Sequence, residues 1–166
     1  MSLHDLYDNF KDAVLRQDQL TAEKLIADPA LPVNGFKREG SKGLIFWAID
    51  YAQKNIMQML LQREDFSVNM PDCYYGRTPL YTVCEKGRCD FVEVLLTHPN
   101  ILVNRGYFDE NSSPLIIALE LHHNECVKAL LTSKDIDVNY AGIKGFNHKP
   151  DHFNYPPLII ATQHEN

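Results

Sequence analysis

The chain has 166 residues, of which 45% are hydrophobic and 23% charged, a composition typical of a soluble chain with a core. The formal net charge is −6, and the longest basic cluster is the pair Lys37-Arg38, which argues against a nucleic-acid binder and against attachment to an anionic membrane surface. No apolar run is long enough to span a membrane, and the first residues lack the pattern of a signal peptide. We therefore expect a cytoplasmic protein, with a nuclear location as an alternative.

The cysteines give no sign of a disulfide framework. Cys73, Cys84, Cys89 and Cys126 form neither a CxxC pair nor a ladder of constant spacing. We therefore expect free thiols in a reducing compartment, packed in or near the core except for Cys73, which we expect to be exposed and open to oxidation.

A dipeptide recurs on a fixed step along the whole chain. Val-Asn occurs at 33–34, 68–69, 103–104 and 138–139, each time 35 residues after the last. Three further columns follow the same step. They comprise an apolar residue (Phe10, Ile45, Leu80, Leu115), a small or β-branched residue (Ala13, Ala48, Val83, Ala118) and an aliphatic pair (Leu25-Ile26, Leu60-Leu61, Leu95-Leu96, Leu130-Leu131). Such periodicity indicates a repeat architecture.

Each copy predicts two short helices. In the first copy the polar residues Asp5, Asp8, Lys11 and Asp12 suit the outward face of a terminal repeat. In the third copy Thr78 and Pro79 predict a helix start, and Gly87 predicts its end. A second helix is expected at about 90–97. The Asn of each Val-Asn is expected to bond nearby backbone in a turn.

The last copy departs from the others. Pro157 lies 43 residues after Pro114, which places an insertion at about 142–154. The chain then stops at the expected turn between two helices. We interpret this as part of a longer protein, with a natural half-repeat cap as the alternative.

These motifs, above all Gly76-Arg77-Thr78-Pro79-Leu80, Ser113-Pro114-Leu115 and Pro156-Pro157-Leu158, make the chain resemble ankyrin-repeat proteins. The resemblance implies one all-α domain over 1–166, an ankyrin-repeat solenoid of stacked helix-turn-helix pairs with hairpin loops. Its copies would be four repeats at about 4–34, 35–69, 70–104 and 105–139, plus a partial fifth at 140–166. The step of 35 exceeds the family's usual 33, and Gly43-Leu44-Ile45 replaces the Thr-Pro-Leu signature in the second copy.

The resemblance also implies the function. Ankyrin repeats bind protein partners through their concave face and hairpin tips, without catalysis and without a cofactor or metal. The residues in those columns are Tyr74, Tyr75, Arg77, Glu85, Lys86, Asp109, Glu110, Ser112, Glu120 and Leu121. For Tyr74 and Tyr75, packing on a neighbouring hairpin is the alternative. Trp47 lies in an apolar column and is expected to pack between repeats.

Other functions have weaker support. No nucleophile, phosphate-binding or metalloprotease motif occurs, His148 and His152 flank a proline and suit a solvated loop better than zinc, and His122-His123 suits a turn. We expect a monomeric module with a protein partner and no nucleic acid. Two alternatives remain open: a cytosolic ankyrin segment of a larger membrane receptor or ion channel, and the targeting domain of a larger enzyme.

Overall fold

The computed structural model describes residues 1–35, 41–106 and 112–140. Within these ranges the regular structure is α-helical and no strand occurs, which confirms the predicted all-α class. The helices in chain order are α1 (Leu3–Leu15), α2 (Gln19–Ile26), α3 (Leu44–Asp50), α4 (Lys54–Leu61), α5 (Pro79–Glu85), α6 (Cys89–Leu96), α7 (Pro114–Glu120) and α8 (Asn124–Leu131). The insertion and nearly all of the expected fifth copy lie outside the described residues, so the repeat count stays a prediction.

The chain divides into two compact units, one ending at Tyr74 and one beginning at Tyr75. In the first unit α1 packs on α2 and α3, and α4 packs on α2 and α3. In the second unit α5 packs on α6 and α7, and α8 packs on α6 and α7. Within each unit, first helices therefore lie against first helices and second helices against second helices. A helix pair too small for a core of its own becomes stable by burying its faces on the next pair.

The predicted apolar columns form this core. All four residues of the column that begins at Phe10 are buried, as are all four of the column that begins at Ala13. Each aliphatic pair buries one member fully, namely Ile26, Leu60, Leu95 and Leu130. Neighbouring residues on a helix point about 100° apart, so both members of a pair cannot face the same core.

Both first helices of the second unit begin at a side-chain cap, and the cap at Thr78 was predicted. The hydroxyl oxygen of Thr78 accepts a hydrogen bond from the backbone N–H of Tyr81, and Ser113 caps α7 in the same way. Pro79 and Pro114 follow these caps at a position where the missing N–H is not needed. In the first unit Gly43 precedes α3 and offers no side-chain cap.

The turns between paired helices share one backbone conformation. Gln17, Ala52, Gly87 and His122, each 35 residues apart, all have φ between 56° and 64°. In each turn the N–H of the left-handed residue donates to the carbonyl three residues earlier. The N–H of the following residue donates to the carbonyl five residues before its own position. This pair of bonds is the Schellman motif, which satisfies carbonyls left open at a helix end.

The Val-Asn dipeptide has a different role for each residue. Val33, Val68 and Val103 are buried. The side chain of Asn34 donates to the carbonyl of Asp65 at 2.7 Å and accepts from the N–H of Ser67 at 2.9 Å. Asn104 makes the same two bonds, to the backbone of Asp135 and Asp137. These amides bond the next copy rather than the nearby backbone that the sequence led us to expect.

Arg63 forms a second link between the first two copies. Its guanidinium donates to the carbonyls of Ile26 and Asp28, both at 2.7 Å, and to both carboxylate oxygens of Asp65 at 2.8 Å. Ile26 ends α2, so the cation lies where the open carbonyls of a helix end favour positive charge. The Asp65 carboxylate in turn raises the pKa of Arg63.

Candidate functional site

Arg77 is the centre of a cluster of aromatic and charged side chains in the second unit. Its Nη1 donates to Oε2 of Glu85, in the last turn of α5, at 2.8 Å. The guanidinium carbon lies 4.5 Å from the ring centre of Tyr75 and 5.9 Å from that of Tyr81. A cation is attracted to the face of an aromatic ring, so these contacts hold Arg77 and Tyr75 together. Three residues predicted to contact a partner are thus assembled by contacts with each other.

Tyr81 is the buried aromatic residue beside Arg77. Burial raises the pKa of its hydroxyl. A Cβ at Gly106 would lie 2.1 Å from the carbonyl oxygen of Ser112 and 2.7 Å from the Tyr81 ring, so only glycine allows this close approach. Thr78 donates from its hydroxyl to the carbonyl of Arg105 at 2.9 Å. Ser112 and Gly106 are therefore fixed against the start of α5.

The remaining predicted residues of this unit lie at helix ends. Lys86 follows α5 and is exposed, Glu120 is the last residue of α7 and is exposed, and Leu121 follows it with 44% of its surface accessible. Glu120 occupies the same column as Glu85, one step later. Asp109 and Glu110 lie outside the described residues.

Tyr74 belongs to the first unit and is the most exposed aromatic residue of the described ranges, at 71%. Its backbone N–H donates to the Asp72 carboxylate at 2.8 Å, which fixes the backbone of the hairpin there. Tyr75 is 58% exposed. The hairpin that follows α6 lies outside the described residues, so the choice between partner contact and hairpin packing stays open for these two residues.

The first unit repeats the cation–carboxylate bridge one step earlier. Lys42 forms an ion pair with Asp50, and these two residues occupy the columns of Arg77 and Glu85. The ammonium of Lys42 lies 3.8 Å from the ring centre of Trp47, whose indole N–H donates to the hydroxyl of Tyr7 at 3.0 Å. Because Tyr7 is in α1 and Trp47 in α3, the predicted packing of Trp47 between copies is confirmed.

Comparison with known proteins decides the family. A family model described as ankyrin repeats (3 copies) matches residues 12–107 and 45–142. Together these matches cover most of the chain. The chain belongs to the ankyrin-repeat family.

One relative adds a biological context for these ankyrin repeats. The human transient receptor potential cation channel subfamily A member 1 is 31% identical over 104 residues. The match covers 61% of this chain and 9% of the channel, so the chain spans a small part of that relative. Among the helices of residues 1–35, 41–106 and 112–140, none has the length and apolar character needed to cross a membrane.

The cysteines of the ankyrin array require a correction. Cys89 and Cys126 form a disulfide with a Cα–Cα distance of 4.5 Å, so the expectation of free thiols is contradicted for these two. Cys84 is free and fully buried, and burial raises the pKa of its thiol. Cys73 is outside the disulfide and exposed as predicted, but partial burial and the Asp72 carboxylate raise the pKa of its thiol. A raised thiol pKa leaves less thiolate and lowers reactivity.

The histidines of the fourth ankyrin copy have structural contacts. His122 is the left-handed residue of its turn, and Nδ1 of His123 lies 2.8 Å from the carbonyl oxygen of Cys84. In the described part of the chain no group of three or more His, Cys, Asp or Glu residues is placed to hold a metal ion. The loop with His148 and His152 lies outside that part.

Sequence reasoning missed two features of these ankyrin repeats, and both had a signal. A basic residue stands eight positions before an acidic one at Lys42/Asp50 and again at Arg77/Glu85. The disulfide joins cysteines 37 residues apart, which is one step of the repeat plus two. The ion pair recurs once in each of two copies, whereas the contact between copies appears as a spacing close to one step.

Proposed function

We propose that this chain is a non-catalytic recognition module that binds a protein partner through its hairpin tips and first helices, the concave face expected of an ankyrin array. The proposed contact surface is the Arg77 cluster, formed by Tyr75, Arg77, Glu85 and Ser112 beside the buried ring of Tyr81. Lys86, Glu120 and Leu121 would extend it at the helix ends. Tyr74 is proposed as a separate contact of the first unit, and Asp109 and Glu110 as contacts of the hairpin that follows α6.

The observation that carries this proposal is the exposed ring of Tyr75 held by Arg77. Tyrosine and arginine are enriched where binding energy concentrates. Arg77 is itself held by Glu85 and lies near the Tyr81 ring. A side chain ordered before binding loses less entropy when the partner arrives, which raises affinity.

The charge of the surface indicates the partner's chemistry. Glu120 is exposed at the end of α7 and Leu121 adjoins it, so a carboxylate lies beside exposed apolar surface. A partner with basic groups around an apolar or aromatic anchor fits this arrangement. Each exposed ion pair contributes little affinity, but complementary charge accelerates association and makes it sensitive to salt.

The test is a comparison of variants against partners captured by the full chain from its source cell. Tyr75→Ala and Arg77→Ala are each expected to weaken the affinity measured by calorimetry by about 2 kcal/mol, roughly thirtyfold. Tyr74→Ala tests the separate contact in the same assay. The matched control is Leu131→Ala, which truncates an exposed apolar residue at the end of α8, a second helix.

Circular dichroism and thermal unfolding must show that each variant keeps the wild-type fold. Since Tyr75 is largely exposed, its truncation is expected to leave the unfolding temperature nearly unchanged. Wild-type affinity of both Tyr75→Ala and Arg77→Ala for every partner would overturn the proposed surface. A loss of affinity equal to that of Leu131→Ala would count against it as well.

The similarity to a cation channel supports a second candidate, a cytosolic segment of a larger membrane receptor or channel. An immunoblot of the source cell, after separation of membranes from soluble protein, distinguishes the two. A band near the chain's own mass of 19.1 kDa in the soluble fraction favours a self-contained module. A much larger band that sediments with membranes favours the channel. A larger band in the soluble fraction favours a third candidate function, the targeting domain of a larger enzyme.

A further inference from the structure

The disulfide joins the second helices of two successive copies. Cys89 is the first residue of α6, and Cys126 is the third residue of α8. The predicted contact residues of this unit are in the hairpins and at the ends of the first helices α5 and α7. The cysteine pair is thus a chemical feature that partner recognition does not use.

The two cysteine residues differ in how deeply they are buried. Cys126 is completely buried, whereas Cys89 is only half-buried at the start of its helix. A disulfide is opened when a thiolate attacks one sulfur and the other sulfur leaves, so access decides which sulfur is attacked. We therefore expect an incoming thiol to attack Cys89, with Cys126 as the leaving group.

We propose that the Cys89–Cys126 pair is a reversible thiol–disulfide exchange site whose co-substrate is a small thiol of the glutathione type. The thiolate of the small molecule attacks Sγ of Cys89, and the Cys89–Cys126 bond breaks. Its electron pair leaves with Cys126, which takes a proton from solvent. Cys89 now carries the small thiol as a mixed disulfide.

A second small thiolate completes the reduction. It attacks the small-molecule sulfur of the mixed disulfide, and Cys89 leaves as a thiolate that takes a proton. The protein disulfide gains two electrons, and two small thiols become one small disulfide. Oxidised glutathione drives the same steps in reverse, attacked first by the Cys89 thiolate, so the ratio of oxidised to reduced glutathione sets the state of the pair.

The test uses the full chain with Cys73→Ser, which removes the exposed thiol outside the disulfide. The protein is equilibrated in glutathione buffers of different ratio, quenched with acid, alkylated in denaturant and mapped by mass spectrometry. Cys89 and Cys126 are expected to pass together from blocked to alkylated as the buffer becomes more reducing. Cys84 is the internal control, because its buried thiol should be alkylated at every ratio once the chain is denatured.

Single variants test the direction of attack. In the folded Cys126→Ser protein, oxidised glutathione is expected to add one glutathionyl group to Cys89. In the folded Cys89→Ser protein, Cys126 is expected to remain a free thiol under the same treatment. Circular dichroism verifies that both variants fold.

If a variant does not fold, the wild-type site is trapped during reduction, and the mixed disulfide is expected on Cys89. Two results would overturn the proposal. One is that Cys89 and Cys126 stay free in oxidising glutathione. The other is that Cys126 accepts glutathione as readily as Cys89 does.

Discussion

Gln17, Ala52, Gly87 and His122 adopt the same left-handed backbone, although only one of them is glycine. A residue with a Cβ in this conformation costs about 1–2 kcal/mol. At three turns this cost is offset because the turn provides hydrogen bonds to the carbonyls at the end of a first helix. Local strain at single residues is thus offset by hydrogen bonds of the neighbouring helix.

Removing the Cβ from one strained turn should stabilise the protein. Ala52→Gly is expected to raise the free energy of unfolding by about 0.5–1 kcal/mol, measured by urea denaturation. The reverse change, Gly87→Ala, should lower it by about 1–2 kcal/mol. Its new Cβ would also lie 2.9 Å from the His123 ring.

The control for this pair is Ala129→Gly, inside α8, which should lower the free energy of unfolding by about 1 kcal/mol because glycine weakens a helix interior. If Ala52→Gly destabilised the protein as much as Ala129→Gly, the backbone of Ala52 would not be strained in the left-handed turn.

Single residues were predictable where the signal was local. Thr78 and Pro79 were identified as a helix start because a cap and a first-turn proline are adjacent in sequence. Asn34 and Asn104 were assigned to turns, but their bonding partners were misjudged. Those partners lie 31 and 33 residues further along the chain, beyond the reach of any local rule.

At the scale of helices, Arg63 connects the end of α2 to the turn that follows α4. Its side chain is 13% exposed and satisfies two carbonyls at 2.7 Å. Hydrogen bonds that involve a charged group contribute about 1.5–3 kcal/mol, and their loss leaves the acceptors unsatisfied. The contact between the first two copies should therefore depend on this one guanidinium.

Arg63→Ala is expected to lower the free energy of unfolding by about 2–3 kcal/mol in urea denaturation. Arg63→Lys should recover only part of the loss, since an ammonium cannot reproduce the planar set of donors. Arg16→Ala is the control. The side chain of Arg16 is 80% exposed, and its Nη2 lies 4.0 Å from Oδ2 of Asp12. Its truncation should change the free energy of unfolding by less than about 0.5 kcal/mol.

The loss of unfolding free energy in Arg63→Ala should depend on pH. Arg63 holds the pKa of Asp65 below its ordinary value, so the pair stabilises the fold fully only above the unfolded pKa of about 4. As the pH falls from there through the lower folded pKa, that contribution is lost in the wild type. The gap in stability between wild type and Arg63→Ala should therefore narrow below pH ~4. A gap that is constant or grows at low pH would contradict the role of Asp65.

Helix positions followed from the sequence to within one residue where the pattern was strong. The second helix of the third copy was expected at about 90–97 and is Cys89–Leu96. The offset arises because its N-cap is Arg88, which makes no side-chain cap bond and leaves no start signal. The ion pairs Arg77–Glu85 and Lys42–Asp50 were not predicted, because their shared spacing of eight residues becomes meaningful only once the hairpin is placed beside the helix.

For the whole molecule, the net charge of −6 opposes association with other polyanions. Nucleic-acid binding draws most of its affinity from basic groups that displace counterions. We expect no saturable binding to a labelled DNA duplex or single-stranded RNA in fluorescence anisotropy at low salt, with a basic protein of similar size as the positive control. Saturable binding that weakens steeply with added salt would contradict this and would indicate a basic surface beyond the described ranges.

The asparagine bridges point in one direction along the chain, and this has a consequence for synthesis on the ribosome. The amide of Asn34 bonds Ser67, and that of Asn104 bonds Asp137, each 33 residues later. Ribosomes add about 5–20 residues per second, so each bridge must wait roughly 2–7 s after its asparagine has been made. During that interval the most recently synthesised copy packs only on the copy that precedes it. The end of the growing chain therefore carries a helix pair with apolar surface that is not yet buried, and a chaperone would bind there.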